Sequence, residues 1–280
     1  PYALAMPGMV DDGGWDADMI RELAEAGVFG VTIPEEHGGL GMGLAAGGVI
    51  AEEVGRVIAP EPVVMTVGLS LGLLRRLCPD HAKMEQLVSG ETVLAAAWQE
   101  RGPNGGPAEA SCRYADGKLT GGKAWVVGAS GAQGFLVVAE GAQADGSSMG
   151  ELSFSGTPAE QLAEGPAVRD ALDEAISDAT ALAAAELVGV SDSAFEITLD
   201  YIKTREQFDK PIGSFQVIQH RAVDLNVMRE VAQAGVREVL AQMDGETDPK
   251  RRATLARRAR ARAATAAKKI TRDAIQLHGA

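Results

Sequence analysis

Between Tyr201 and Asp224 a proline interrupts a long helical pattern, and that interruption fixes how the last third of the chain can fold. The stretch reads YIKTREQFDKPIGSFQVIQHRAVD. Pro211 has no backbone N–H, and its ring clashes with the preceding turn, so helix cannot pass through it. The spacing predicts helix to about Thr204, a turn around Asp209-Lys210-Pro211, and a second helix from about Ser214, whose hydroxyl suits an N-cap. Arg205, Gln207, Phe208, Phe215 and Gln216 are thereby concentrated at a helix–helix corner. An arginine fork beside exposed amides suits a diphosphate, because the guanidinium offers paired donors to paired oxygen acceptors.

The rest of the chain divides by periodicity. Helical patterns cover Asp16–Ala26, with Asp16 as cap and Gly27 as stop, then Leu44–Ile58, Val63–Leu77 and His81–Ser89. From Thr92 the pattern turns to short apolar runs separated by Asp-Gly and Gly-Gly, the signature of strands joined by tight turns. Helix returns over about Leu172–Thr204, Ser214–Asp244 and Pro249–His278. Three domains are expected: a helical one over 1–91, a small β domain over 92–165, and a helical bundle over 166–280. Aromatic residues make up only 4% of the chain, which suits helix packing by Leu, Ala and Val.

Charge and composition narrow the function classes. A net charge of −13 argues against general nucleic-acid binding and against adhesion to an anionic membrane. The basic run from Lys250 to Lys269 lacks interleaved aromatics, so a solvated or subunit-facing helix stripe is expected there. No apolar run is long enough to span a bilayer. No signal peptide is visible, and a cytoplasmic location is expected. Cys78 and Cys112 have neither metal nor redox spacing and are expected as reduced thiols. His81, His220 and His278 show no ligand spacing, so no metal site is expected. The glycines from Gly38 to Gly43 lack the strand–loop–helix setting of a dinucleotide fingerprint.

The spacing R-x-Q-F-x-x-P-I-x-x-F-Q over Arg205–Gln216 resembles the acyl-CoA dehydrogenase family. LAEAGVFGVTIPEEHGGLGMG resembles that family's N-terminal signature, GKLTGGKAWVVGAS its middle motif, and AIQLHGA its Q-x-x-G-G. The resemblance implies an α+β fold: an N-terminal helical domain, a small sandwich- or barrel-like β domain and a C-terminal four-helix bundle. It implies FAD as cofactor and an acyl-CoA thioester as substrate, with removal of a Cα proton by a carboxylate and of a Cβ hydride by the flavin. It also implies an electron-transfer flavoprotein or similar acceptor. Arg205, Gln207, Phe208, Phe215, Gln216, Gln276 and Gly279 then belong to a corner gripping the ADP half of a neighbouring subunit's flavin. Trp125 aligns with the tryptophan that packs on the flavin. Glu35, Glu36 and His37 fall in a loop that the resemblance makes structural.

The departures from the pattern are informative. Where the family has a Thr or Ser two residues after the tryptophan, this chain has Val127. Where it has T-E-P-x-x-G-S-D, the chain has Gln99 to Gly106 and lacks both hydroxyls. Asp209 stands for a Gly, and Ala280 for the last Gly of Q-x-x-G-G. The resemblance implies a Glu base beyond Q-x-x-G-G in most of the family, past Ala280, and in a minority a base on the first bundle helix. Counting back from Arg205 puts Ala179 at that second position, with Asp178 and Glu174 the nearby acids. The ring-facing half of a flavin site is thus eroded while the ADP-facing half is kept. That combination predicts a base-lacking subunit of a heteromer, resembling the short subunits of bacterial sterol-side-chain dehydrogenases. A homologous partner, as α2β2, is expected to supply the glutamate base and most of the flavin pocket. The alternatives are a non-catalytic structural or regulatory subunit and a flavin monooxygenase of the same fold.

Overall fold

The computed structural model describes residues 16–102, 112–129, 131–138 and 150–279. Helix α1 (Ala17–Glu25) begins where the Asp16 carboxylate accepts the Asp18 N–H, as expected of an N-cap. Helix α2 spans Gly43–Val57. Helix α3 (Val63–Met65) continues through a π-helical stretch, Thr66–Ser70, into α4 (Leu71–Leu77), and α5 covers Lys83–Val88. Between α1 and α2, Glu35–His37 form a 3-10 turn closed by Gly38 at φ +83°. A Cβ on Gly39 would lie 2.1 Å from the Ile33 carbonyl oxygen. The Pro-Glu-Glu-His-Gly-Gly sequence therefore answers a backbone requirement, and its His37 Nδ1 sits 3.3 Å from Asp80 Oδ1.

The sheet residues follow. Strand β1 (Leu94–Ala97) pairs in parallel with β4 (Gly134–Val137). Strands β2 (Arg113–Ala115), β3 (Lys118–Val126) and β5 (Gly150–Pro158) form an antiparallel sheet in the order β2-β3-β5. Asp116-Gly117 makes the β2–β3 turn with both φ values positive, as the Asp-Gly signal predicts. The register of β3 against β5 shifts between Lys123 and Val126, and Trp125 at this irregularity has φ +55°.

Three long helices complete the chain: α6 (Pro166–Thr204), α7 (Gln216–Gly245) and α8 (Pro249–Leu277). Proline at the first helical position starts α8, with Asp248 accepting the Lys250 N–H at 3.0 Å. The chain falls into two compact units. One gathers the described residues up to Met42 with Pro60–Ile176; the other joins Gly43–Ala59 to the chain from Ser177 onward. In the second unit α2 is the fourth helix beside α6, α7 and α8. It crosses α6 where two glycines meet backbone: a Cβ on Gly55 would lie 2.0 Å from the Glu186 carbonyl oxygen, and one on Gly189 1.9 Å from that of Glu52. Asp244, from the end of α7, accepts the Leu44 and Ala45 N–H groups at the start of α2, a carboxylate at the positive end of a helix. Buried Glu52 takes a two-pronged contact from Arg237 at 2.9 and 2.5 Å.

Candidate cofactor-binding corner

Pro211 ends helix as expected, but the break is more ordered than a simple turn. Strand β6 (Glu206–Gln207) pairs with β7 (Lys210–Pro211) in a miniature hairpin. Phe208 and Asp209 are its two loop residues, at φ +56° and +59°. Two positive φ values match a type I′ turn, and glycine at 209 would enter it without strain. The Ile212 N–H donates to the Arg205 carbonyl at 2.8 Å and closes the base. Ser214 departs from the expectation. It lies in a 3-10 turn, Ile212–Ser214, and its hydroxyl donates to the Pro211 carbonyl at 2.7 Å. Phe215 takes the N-cap position of α7, with no side-chain cap, so the first N–H groups of that helix stay available.

The hairpin sets out an exposed polar and aromatic surface. Phe208 is 85% exposed, and its ring meets Phe215 edge-on at 6.1 Å between centroids. Lys210 Nζ lies 4.4 Å from the Phe215 ring centre. Arg205, Gln207 and Gln216 are exposed. The Gln207 amide donates to the Glu206 carbonyl. Among the described residues the side chains of Arg205, Gln216 and Gln276 have no hydrogen-bond or ion-pair partner. The end of α8 is brought to the end of α6 by a stack of His278 on Tyr201, 4.1 Å between centroids and 15° apart, one turn before Arg205. Beneath it, Ile202, Leu277 and Leu225 are buried in one apolar cluster. Gln276 and Gly279 therefore sit at the same end of the bundle as Arg205, although 71 and 74 positions separate them from it in sequence. Ala280 lies outside the described residues. The Tyr201–His278 stack has no local signal in the sequence.

The ring-facing candidates lie in the other unit. The Ala124 N–H donates to the Gln99 carbonyl at 2.9 Å, so Gln99 and Trp125 stand on adjacent backbone segments. Lys123, wholly buried, donates to Glu100 Oε1 at 2.6 Å, and the same oxygen accepts the Cys112 N–H. This pair pins the segment bearing Gln99 to β3. Its sequence signal was a Lys within the strand and a Glu just after an apolar one. Burial pushes the Cys112 thiol up in pKa, which makes it inert. Arg101 lies 5.3 Å from the Trp125 ring centre. Val127 is half-buried and apolar. The Gln99 Nε2 is buried without a partner among the described residues. Pro103 to Gly106, the rest of the expected loop, lie outside them.

The fit to FAD differs between the halves. The corner offers a cation, amides, uncapped helix N–H groups and two aromatic faces, which fit the diphosphate and adenine chemistry of a dinucleotide. Among the described residues the ring-facing half offers the buried Gln99 amide and apolar Val127 at positions where the resemblance implies hydroxyls.

The acids near the base position are both engaged. Asp178 is 1% exposed and accepts from Arg252 Nη2 at 2.5 Å. Arg252 also donates to the Met243 and Glu246 carbonyls at the end of α7. Glu174 accepts from Arg76 Nε at 3.1 Å. Ala179 is buried. Among the described residues no group of three or more His, Cys, Asp or Glu could hold a metal, and no helix is long and apolar enough to cross a membrane.

This order of elements, helices, then a small set of strands, then a helical bundle, is that of an acyl-CoA dehydrogenase. The family model of the acyl-CoA dehydrogenase C-terminal domain matches residues 169–280, and that of the N-terminal domain residues 5–89. The chain is 30% identical over 279 residues to acyl-CoA dehydrogenase IpdE2 of Mycobacterium tuberculosis, covering 99% of this chain and 79% of that protein. It superposes on the structure named "Tcur3481-Tcur3483 steroid ACAD G363A variant" with a TM-score of 0.77 and 32% identity, over 95% of this chain and 78% of the other. The ChsE4-ChsE5 complex of M. tuberculosis gives a TM-score of 0.77 at 25% identity, with the same two coverages. The chain belongs to the acyl-CoA dehydrogenase family, whose cofactor is FAD.

Proposed function

We propose that this chain is a subunit of a heteromeric, FAD-dependent dehydrogenase that introduces an α,β double bond into an acyl-CoA thioester. A homologous partner supplies the carboxylate base and most of the flavin pocket, and this chain lends its corner to the partner's cofactor. The observation that carries this reading is the contrast between the two halves. Arg205, Gln216 and Gln276 stand exposed with no internal partner among the described residues, whereas Ala179 occupies the helix position of the minority-type base and Asp178 is locked to Arg252.

In this arrangement the Arg205 guanidinium holds the diphosphate charge, the Gln207, Gln216 and Gln276 amides orient the nucleotide, and Phe208 and Phe215 cover its planar part. Bound FAD supplies the hydride acceptor for the substrate's Cβ. The partner's carboxylate takes the Cα proton, because this chain presents no free acid at Ala179. The names of two structural relatives, a steroid dehydrogenase and a two-protein complex, support a steroid side-chain CoA as substrate and an α2β2 assembly. Reducing equivalents pass to an electron-transfer flavoprotein or similar acceptor. A cytoplasmic location accords with this chemistry.

The test is purification of the chain alone and after co-expression with a homologous dehydrogenase subunit, with absorbance spectra and flavin-to-chain ratios. The expected result is a colourless chain alone and a yellow complex. Stoichiometric flavin on the chain purified alone, as a monomer or as a homotetramer, contradicts the heteromeric reading.

A further inference from the structure

Helix α8 concentrates positive charge in an acidic protein. It carries ten Lys and Arg against one acid, Asp273, a formal charge of +9, so the rest of the chain carries −22 to reach −13 overall. On the exposed side of α7, Val223, Val227 and Val231 recur every four residues, each about half exposed. Between α7 and α8 runs a groove of about 710 Å³. Besides apolar Leu225 and Met228, four cations (Arg221, Lys268, Lys269 and Arg272) outnumber two acids (Asp224 and Asp273) in its lining, and it reaches Gln276.

We propose that the α7–α8 face is an interface for a different subunit whose facing helices are acidic, and that its charge rejects a second copy of this chain. The proposal rests on the heteromeric reading above and adds the face and the selection rule. A two-fold interface sets a patch against itself. Here that would bring together two copies of α8, each with nine exposed cations (Arg252 is buried against Asp178) and the one acid Asp273. Like charges opposed across an interface are penalised strongly enough to decide partner choice. An acidic helix pair instead neutralises Arg221, Lys268 and Arg272 and covers the valines. The groove's continuity with Gln276 means that a subunit seated on it also adjoins the corner. A nucleic acid is the other polyanion to weigh. Neither α7 nor α8 contains Phe, Tyr or Trp to stack on bases, and a valine row gains nothing from phosphate.

A charge-reversed copy of the chain serves as a surrogate acidic partner. Wild-type full chain, an Arg221→Glu/Lys268→Glu/Arg272→Glu variant and their equimolar mixture are compared by sedimentation velocity at about 0.05 M and about 0.5 M NaCl, conditions that change screening severalfold. The expected result is that wild type alone stays monomeric at low salt. The mixture forms a one-to-one complex at least tenfold tighter than wild-type self-association, and salt weakens it. Circular dichroism establishes that the variant is folded. If it is not, the neutral Arg221→Gln/Lys268→Gln/Arg272→Gln variant takes its place, with self-association at low salt expected to exceed that of wild type. Three results would each overturn the proposal: a wild-type homodimer that is strongest at low salt, a mixture or neutral variant no more associated than wild type, or capture of duplex DNA as tightly as the charge-reversed chain. No arm measures flavin, so failure here and failure of the dehydrogenase reading are read separately.

Discussion

At the scale of single residues, both acids beside Ala179 are held in ion pairs, Asp178 with Arg252 and Glu174 with Arg76. Asp178 faces Arg252, which is itself 7% exposed and holds the carbonyls that end α7. Removing one member of a buried pair leaves an uncompensated charge, at a cost of about 3–5 kcal/mol. Asp178→Asn should therefore lower unfolding free energy in urea by about that amount. Turnover of the intact complex with an artificial electron acceptor should fall less than about tenfold, under ~1.4 kcal/mol of barrier. A loss of several decades with flavin still bound would make Asp178 the base. Glu186 offers a pH test. Burial raises its carboxyl pKa, so the folded state keeps the proton at pH values where the unfolded state has released it. Its contribution to stability is complete below the ordinary glutamate pKa of about 4.3 and is lost as pH rises through the raised value. Glu186→Gln has no such proton. The stability difference, variant minus wild type, should grow between acid and neutral pH in urea melts; a difference independent of pH would assign Glu186 an ordinary, solvated carboxyl.

At the scale of elements, close helix contact explains where α2 belongs. Gly189 and Gly55 let α2 and α6 approach until Cβ atoms would meet carbonyl oxygens. Gly189→Ala puts a methyl 1.9 Å from the Glu52 carbonyl, and such overpacking costs about 1–3 kcal/mol or more. A drop in thermal midpoint of several degrees is expected, against little change for Ala at Gly245, where a Cβ meets nothing. Equal effects at the two positions would mean that α2 does not cross there. Most elements were legible because their signals are local. Pro211, the Asp16 cap, the Asp116-Gly117 turn and the 3.6-residue periodicity each act within a few residues. The helix at residues 43–57 was legible but its place beside α6 to α8 was not, because that rests on glycines facing backbone more than a hundred positions away. Ser214 misled for a related reason: the hairpin, set by Phe208 and Asp209, diverts its hydroxyl to Pro211. At the corner, Arg205 to Gln216 could be read as one motif, and so could Gln276 through Q-x-x-G-G. The Tyr201–His278 stack and the Lys123–Glu100 pair arise from tertiary pairing that periodicity does not encode.

At the scale of the whole molecule, the family fold is retained, and the heteromeric proposal turns on an unequal match to the two halves of a flavin site. With Arg205 unpartnered among the described residues and alanine at the helix position counted for a minority-type base, this chain is proposed to complete another subunit's site. The most direct measurement is flavin retention by the complex carrying Arg205→Ala in this chain alone. A charge-assisted contact to a phosphate contributes about 1.5–3 kcal/mol, roughly one to two decades in dissociation constant. Gel filtration of the dilute complex should strip FAD from Arg205→Ala but not from wild type. Arg205→Lys should fall between them, since an ammonium cannot form the two-pronged contact. Flavin content unchanged in Arg205→Ala, with the complex intact, would contradict the assignment of this corner to the neighbour's cofactor.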